Sequence, residues 1–495
     1  MTDVIRIGNA SGFYGDRFTA WQEMLTGGEL DVLTGDYLAE LTMLILGRDR
    51  LKDPATGYAK TFLRQLEGAL GLALDHGVRL VTNAGGLNPT GLADGVRTLA
   101  DRLGLPVKVG VVTGDDLTER AAALDLGHPL TAHAYLGAFG IARCLRAGAD
   151  VVITGRVTDA SLTVGPAIAH FGWDRSAFDE LAGATIAGHV IECGAQATGG
   201  NYSFFTELPD GGRRPGFPIA EIHPDGSSVI TKHPGTGGAV AVETVTAQLL
   251  YEVGAPGYLG PDVVAHLDSV TLTPEGPDRV RISRALGSPP PATLKVGINS
   301  LGGFRNSMTF VLCGLDIEAK AELVRAQLVD AIGPEGLEFR LVRTDRPDPE
   351  TIETASALFG VHVKDADAKR AGRAFSQAAV ELALASYPGC TLTSPPADAV
   401  PFGVFTSAYL PQNEVAHVAV LPDGTRVDVP PPEPPYSEIL EAAHPQEGEN
   451  LPRSGGTSRK AALGRLVGAR SGDKGGDANL GVWARTDPGY EWLRG

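Results

Sequence analysis

An α/β fold, built on a mostly parallel sheet with flanking helices, is predicted by three features of this 495-residue chain. First, five short apolar runs each end abruptly in small and polar residues: VIRIGNASGFYGD (4–16), DVLTGDYLAE (31–40), VRLVTNAGGLNP (78–89), VKVGVVTGDD (107–116) and DVVITGRVTDAS (150–161). Unbroken Val/Ile/Leu runs fit strands covered on both faces. Second, helical patterns fall between the runs, which is the βα rhythm of a parallel sheet. Third, many of the 64 glycines sit at the ends of these runs, where a backbone must turn sharply or approach a ligand closely. In such sheets ligands bind beyond the carboxyl ends of the strands, so the polar tails also give an address for a site.

The elements follow in order. Residues 55–76 place Phe62, Leu63, Leu66, Leu70 and Leu74 on one helical face. Residues 91–103 and 116–126 read similarly, and LTAHAYLGAFGIARCLRAGA, from residue 130, is small and apolar on most sides, as a buried helix is. Together they predict an α/β domain over 1–255. After Gly254 the rhythm changes to half-exposed strands (263–275, 278–287), a strand–glycine turn–strand (295–314), an amphipathic helix (316–333), a strand (337–345) and a second helix (365–386). Strands followed by helices predict an α+β domain over 256–420. VPPPEPP (429–435) and EGENLPRSGGTSRK (447–460) predict a Pro/Gly-rich linker over 421–460. Residues 461–495 then read as two strands around a polar loop, a unit too short to be stable alone.

Composition excludes several classes of function. A net charge of −17 argues against nucleic acid or an anionic membrane as partner. No run approaches the roughly 18 apolar residues of a membrane span. The four cysteines (Cys144, Cys193, Cys313, Cys390) are scattered, with neither a CxxC pair nor zinc-ligand spacing, so a reduced protein without a structural metal is expected. A strand opening at residue 4 leaves no room for a secretory leader, and a cytoplasmic location is expected. Large acidic α/β proteins commonly assemble, so a homo-oligomer acting on a small-molecule substrate is anticipated.

The candidate site residues come from the strand ends and two later segments. Asn9 and Ser11 follow the first run, Asp36 the second, Asn83 the third, Asp115 and Asp116 the fourth, and Arg156 and Asp159 the fifth. Asp and Asn at such positions also cap helices, and any one alone is explained that way. Arg156 at a strand end suits a carboxylate or phosphate, with an ion pair to Asp159 or Asp36 as the alternative. The densest segment, HVIECGAQATGGNYSFF (189–205), packs His189, Glu192, Cys193, Gln196 and Asn201 together. Glu192 is the acid/base candidate there, and Cys193 beside His189 is a weaker nucleophile candidate. In KHPGTGGAV (232–240), Lys232 before a glycine turn is a candidate anion anchor, although the segment is not a Walker A motif. The same holds for Lys474 in SGDKGGDAN. Arg305 and Asn306 are a further polar pair between apolar strands. The glycine spacing of GNASGFYGD is not that of a dinucleotide fingerprint, and the cofactor is unknown from sequence.

IRIGNASGFYGD, TGDYLAE, TNAGGLNP and ITGRVTDASL together resemble the acyclic terpene utilisation protein family, AtuA. HVIECGAQATGGN and KHPGTGG are similar to segments of its long amino-terminal domain, and RSGDKGGDANLGVWAR resembles the start of its smaller ferredoxin-like carboxyl-terminal domain. The resemblance covers most of 1–420 and again 460–490. It departs at His133, where Asn is expected, and in the length of the terminal domain, which implies a truncated ferredoxin-like unit here. What it implies is a place in the breakdown of citronellol- and geraniol-type terpenes through acyl-CoA intermediates.

Residues and resemblance together favour an enzyme of branched acyl-CoA catabolism. Hydratase or lyase chemistry on a carboxylated or CoA-thioester substrate is expected, with Glu192 moving the proton, Arg156 and Lys232 anchoring an anion, and Asn9, Asn83 and Asn201 polarising a carbonyl. Two alternatives stand beside it: a Cys193-dependent hydrolase, and a non-catalytic acyl-CoA binder or scaffold of an acyl-CoA carboxylase.

Overall fold

All five apolar runs form strands, and these strands lie side by side. A computed structural model describes residues 4–437, 459–474 and 477–494. The strands are β1 (Ile5–Asn9), β2 (Val32–Gly35), β3 (Arg79–Thr82), β4 (Val109–Thr113) and, after β5 (Thr131–Ala134), β6 (Val151–Thr154). They run parallel in the order β1-β2-β3-β6-β4. Successive residues point to opposite faces. Val32, Val81 and Val152 therefore enter one core, and Leu33, Leu80, Val151 and Ile153 enter the other. Burial on both faces is why the runs read as continuous rather than alternating.

Among the described residues the sheet has eleven strands and is mixed. Beyond β1 come β7 (Pro218–Ile222) and β8 (Ser228–Lys232), then Arg279–Ser283 and Thr271–Gly276. Beyond β4 come Val418–Val420 and Arg426–Asp428. Every pairing in these margins is antiparallel. The reason is in the connections: β7 and β8 are joined by the short turn 223–227, whereas each parallel pair in the centre needs a crossover. Helices Ser161–Phe171 and Phe178–Ile191 cover one face, and Ala20–Gly27, Lys60–Leu66 and Pro89–Leu103 cover the other.

Three local expectations are corrected. The 130s are not a helix from their start: β5 pairs antiparallel with residues 296–299, and the helix runs only over Phe139–Arg146. A short apolar run satisfies either geometry, and a partner strand distant in sequence decided it. The 55–76 pattern divides into two helices, Lys60–Leu66 and Leu70–His76. Thr293–Cys313 is one strand with no turn at its glycines, because residues 304–313 pair in unbroken register with Ser356–Asp365.

The chain forms two compact units, residues 1–299 with 405–495, and residues 300–404. The smaller packs Leu337–Val342, Ser356–Asp365 and residues 304–313 against helices Ile317–Ile332 and Phe375–Glu381, around Phe310, Phe359 and Phe375. Asn306 lies buried in it, donating to the Ala371 and Ala397 carbonyls. In the larger unit a hairpin, Val467–Lys474 with Asp477–Ala484, precedes helix Asp487–Arg494. The Gly/Ser-rich half of the expected linker, 447–458, lies outside the described residues. Among the described residues no helix is long and apolar enough to cross a membrane.

Candidate functional site

The carboxyl ends of β1, β2, β3, β6 and β4 form one rim, and a cleft of about 420 Å³ opens above it. Asp36, Arg156, Asp159, Glu192, Cys193, Gln196 and Asn201 line it, so strands and loops 165 residues apart in the sequence deliver side chains to one space. Asn9, Ser11, Asn83 and His189 lie behind this lining, fully buried. Lys232 is not part of it.

The buried layer holds the lining in place. Asn9 donates its amide to the carbonyls of Ile191 (2.8 Å) and Glu192 (2.7 Å). These are end carbonyls of helix Phe178–Ile191, which lack partners within the helix. Asn9 therefore fixes the point where the chain leaves the helix and Glu192 begins. Ser11 donates to the Phe13 carbonyl and accepts the Asp36 backbone N–H at its own carbonyl. Gly12 lies so close to the Cys193–Gly194 backbone that a Cβ would stand 2.3 Å from the Gly194 nitrogen. Only glycine allows these two loops to meet. Asn83 donates to Asp36 Oδ1 (2.7 Å) and accepts the Tyr37 N–H (2.8 Å), which sets the Asp36 rotamer.

Arg156 is at the centre. Its guanidinium pairs with Asp159 (3.0 Å), donates to the Leu38 carbonyl (2.6 Å) and stacks over Tyr135 at 4.3 Å. Burial opposes its charge, but Asp159, Tyr135 and Asp36 outweigh burial and hold it protonated. Of the two sequence readings of Arg156, the ion pair with Asp159 is the one seen, and the guanidinium also borders the cleft. Behind it, Asp115 accepts the Arg156 backbone N–H (2.7 Å) and pairs with His133 (3.0 Å), while Asp116 pairs with Arg50 (2.7 Å).

The cleft is acidic. Asp16, Glu40, Glu252 and Asp473 join Asp36, Asp159 and Glu192 in its lining, and Arg156 is its one cation among the described residues. Burial, then the neighbouring Asp159 charge, pushes the Asp36 carboxyl well above the ordinary carboxylate range. Asp36 is therefore biased toward the neutral acid, a form that can donate a proton. Glu192 Oε1 lies 3.5 Å from His189 Nδ1, and His189 packs in turn on Tyr258. Cys193 accepts a hydrogen bond from the Gln196 amide (2.8 Å). Burial, then Glu192 and Glu252, pushes its thiol pKa up, away from the reactive thiolate.

A second chamber of about 810 Å³ shares Asp159 and Glu252 with the cleft. Its character differs: Tyr135, Tyr258, Leu259, Pro261 and Leu294 supply apolar walls, with Lys295 at one side. Lys232, by contrast, donates to the Thr236 carbonyl (2.7 Å) of its own turn and pairs with Asp278 (3.0 Å). Among the described residues no group of three or more His, Cys, Asp or Glu is placed to hold a metal ion.

Glu40, Tyr251, Glu252 and Asp473 were not singled out from sequence. Glu40 lay in a quoted strand end without being weighed. Glu252 carries no local signal, since its position depends on a left-handed backbone (φ 58°) after a helix end. Asp473 stood beside Lys474, the residue in that loop that drew attention.

These features define an α/β protein with an acidic, partly apolar cavity at the carboxyl edge of a parallel sheet centre. The family model described as acyclic terpene utilisation family protein AtuA matches residues 5–421. The chain belongs to that family, which ties it to acyclic terpene utilisation. Comparison with curated proteins and with solved structures finds no match.

Proposed function

We propose that this protein is an enzyme of acyclic terpene or branched acyl-CoA breakdown that performs hydratase- or lyase-type proton transfer. The observation that supports it is the adjacency of an acidic cleft to an apolar chamber, joined at Asp159 and Glu252. An elongated substrate would lay its hydrocarbon chain in the chamber and its reacting group in the cleft. Asp36, biased toward its neutral form, would donate a proton, and Glu192 would accept one; two carboxyls in unlike surroundings divide acid and base roles in this way. Asn201 and Gln196 would orient the polar end of the substrate.

The electrostatics narrow the substrate. A free carboxylate entering the cleft meets a lining dominated by acids, with Arg156 already bound to Asp159 and Leu38. A neutral reacting group, such as a thioester carbonyl, a hydroxyl or an alkene, avoids this repulsion. The thioester is thus favoured over the free acid. The raised Cys193 thiol speaks against the hydrolase reading.

The test is turnover of branched, unsaturated acyl-CoA thioesters and their hydroxylated counterparts by the purified protein. Asp36→Asn and Glu192→Gln should each lower kcat by about 10²- to 10⁴-fold, the usual range for a lost acid or base. Full activity of Glu192→Gln would remove it from the base role. Tight thioester binding with no turnover by the wild-type chain would make the protein a binder instead.

A further inference from the structure

The hairpin Val467–Lys474/Asp477–Ala484 lies beyond residue 421, where the family match ends, yet it reaches the cavity. Asp473 lines the acidic cleft and Asp477 the apolar chamber. It bonds to the segment 201–207 through Ala469, Arg470 and Arg485, and to one turn that borders the cavity, Leu250–Val253. Asn479 donates from one amide nitrogen to the Leu250 (2.9 Å) and Val253 (3.0 Å) carbonyls, and its oxygen accepts the Glu252 N–H (3.1 Å). One side chain thereby brackets Glu252, whose φ of 58° is unfavourable for a residue with a Cβ and persists only where surroundings enforce it. The hairpin backbone comes equally close: a Cβ on Gly472 would stand 2.8 Å from Glu252 Cγ and 2.9 Å from Tyr251 Cδ2. Arg470 covers the Tyr251 ring at 4.4 Å. Tyr251 and Glu252 both line the cleft, as does Cys193.

We infer that this hairpin is a wall of the candidate site, and that Asn479 is a positioning residue that holds the Tyr251–Glu252 turn over Cys193. The far end of the hairpin is fastened separately. Arg485 makes a two-pronged ion pair with Glu207 (2.9 and 2.7 Å), and Trp483 stacks on Tyr202. Asn479 makes the hydrogen bonds to the turn that faces the cleft, with Gly472 and Arg470 packed beside it, whereas Arg485 pairs with a different segment, so the two fastenings can be loosened one at a time.

The inference concerns the same cavity as the proposed function but needs no substrate, so it can fail while the proton-transfer reading stands, and the reverse. The probe is iodoacetamide, with alkylation of each cysteine followed by mass spectrometry in the full-length protein. Cys144, fully buried, reports global unfolding. Asn479→Ala should raise the Cys193 alkylation rate roughly tenfold, as expected when a clamp of hydrogen bonds gives way and a local segment opens. Cys144 should stay protected. Arg485→Ala should leave the Cys193 rate within about twofold of wild type, since a surface ion pair contributes little. An unchanged Cys193 rate in Asn479→Ala overturns the inference. So does an equal acceleration in Arg485→Ala, which would reduce the hairpin to general stabilisation. If Asn479→Ala exposes Cys144, Asn479→Asp, which keeps the acceptor for the Glu252 N–H, is read the same way against the same two outcomes.

Discussion

Arg156 and Lys232 are both buried cations beside a strand end on the same edge of the sheet, and only one of them faces the cleft. β8 runs in the direction of β1, because β7 is antiparallel to both. Lys232 at its end therefore reaches the same rim as Asn9, two strands further out. There its own chain folds over it: Thr236 takes its ammonium, Asp278 pairs with it, and the turn is closed. Arg156 ends a strand in the parallel centre, where the chain crosses to a helix on the sheet face instead of turning back. Its guanidinium meets Asp159 and the Leu38 carbonyl and still borders open space. A cation near glycines marks a site only where the connection that follows leaves room above it.

The comparison breaks or holds on a pair of substitutions. Arg156→Met leaves the largely buried Asp159 carboxylate without its counter-charge, and breaking a buried pair from one side destabilises by about 3–5 kcal/mol. Lys232→Met leaves Asp278, which is about a third exposed and can be hydrated, so a loss of about 1 kcal/mol is expected. Urea unfolding of both variants measures this. Turnover should collapse in the first and stay within a few-fold in the second. Equal losses in the two would mean that the closed turn and the open cleft are not different kinds of place.

Asp36 sharpens the contrast through pH. Its folded-state carboxyl is shifted upward, by burial first and then by Asp159, so the folded protein holds that proton more tightly than the unfolded chain. Such a group favours folding below the ordinary carboxylate value of about 4 and increasingly opposes it as pH climbs above that value. Asp36→Asn removes the opposition while keeping an oxygen for Asn83 and Leu38. The Tm of the variant minus that of wild type should therefore rise steadily from pH 4 to pH 7. A flat or falling difference would place the Asp36 proton elsewhere.

The parallel centre was readable because its evidence is local: five short, largely apolar runs, each ending in small and polar residues. The rim followed from them, and so did Asp36, Arg156 and Asp159, whereas Glu192 was picked out by the polar density of the later segment 189–205. What escaped was set by distant pairing. TAHA over 131–134 becomes a strand only because residues 296–299 lie beside it. Glu252 sits at the cleft in a turn that is bonded to Asn479, 227 residues away. Asn9 and Asn83 were read as ligands to a substrate carbonyl, yet both amides are engaged with backbone carbonyls or with Asp36. Short polar side chains look alike in a sequence whether they face a ligand or a neighbouring loop.

Cys193 carries the smallest expected effect and separates presence in the cleft from participation. It borders the cavity and sits one residue from Glu192, as a nucleophile would. Its surroundings are those of an unreactive thiol: burial first, then the charges of Glu192 and Glu252, disfavour the thiolate and outweigh the hydrogen bond from Tyr251. Cys193→Ala removes little volume and leaves the Gln196 amide free to turn toward solvent or substrate. Turnover of the variant should remain within about threefold of wild type, well short of the loss that follows removal of a covalent nucleophile. An acyl group trapped on Cys193 by rapid quench, together with an inactive Cys193→Ala, would instead make the thiol the reacting atom and reduce Asp36 and Glu192 to its neighbours.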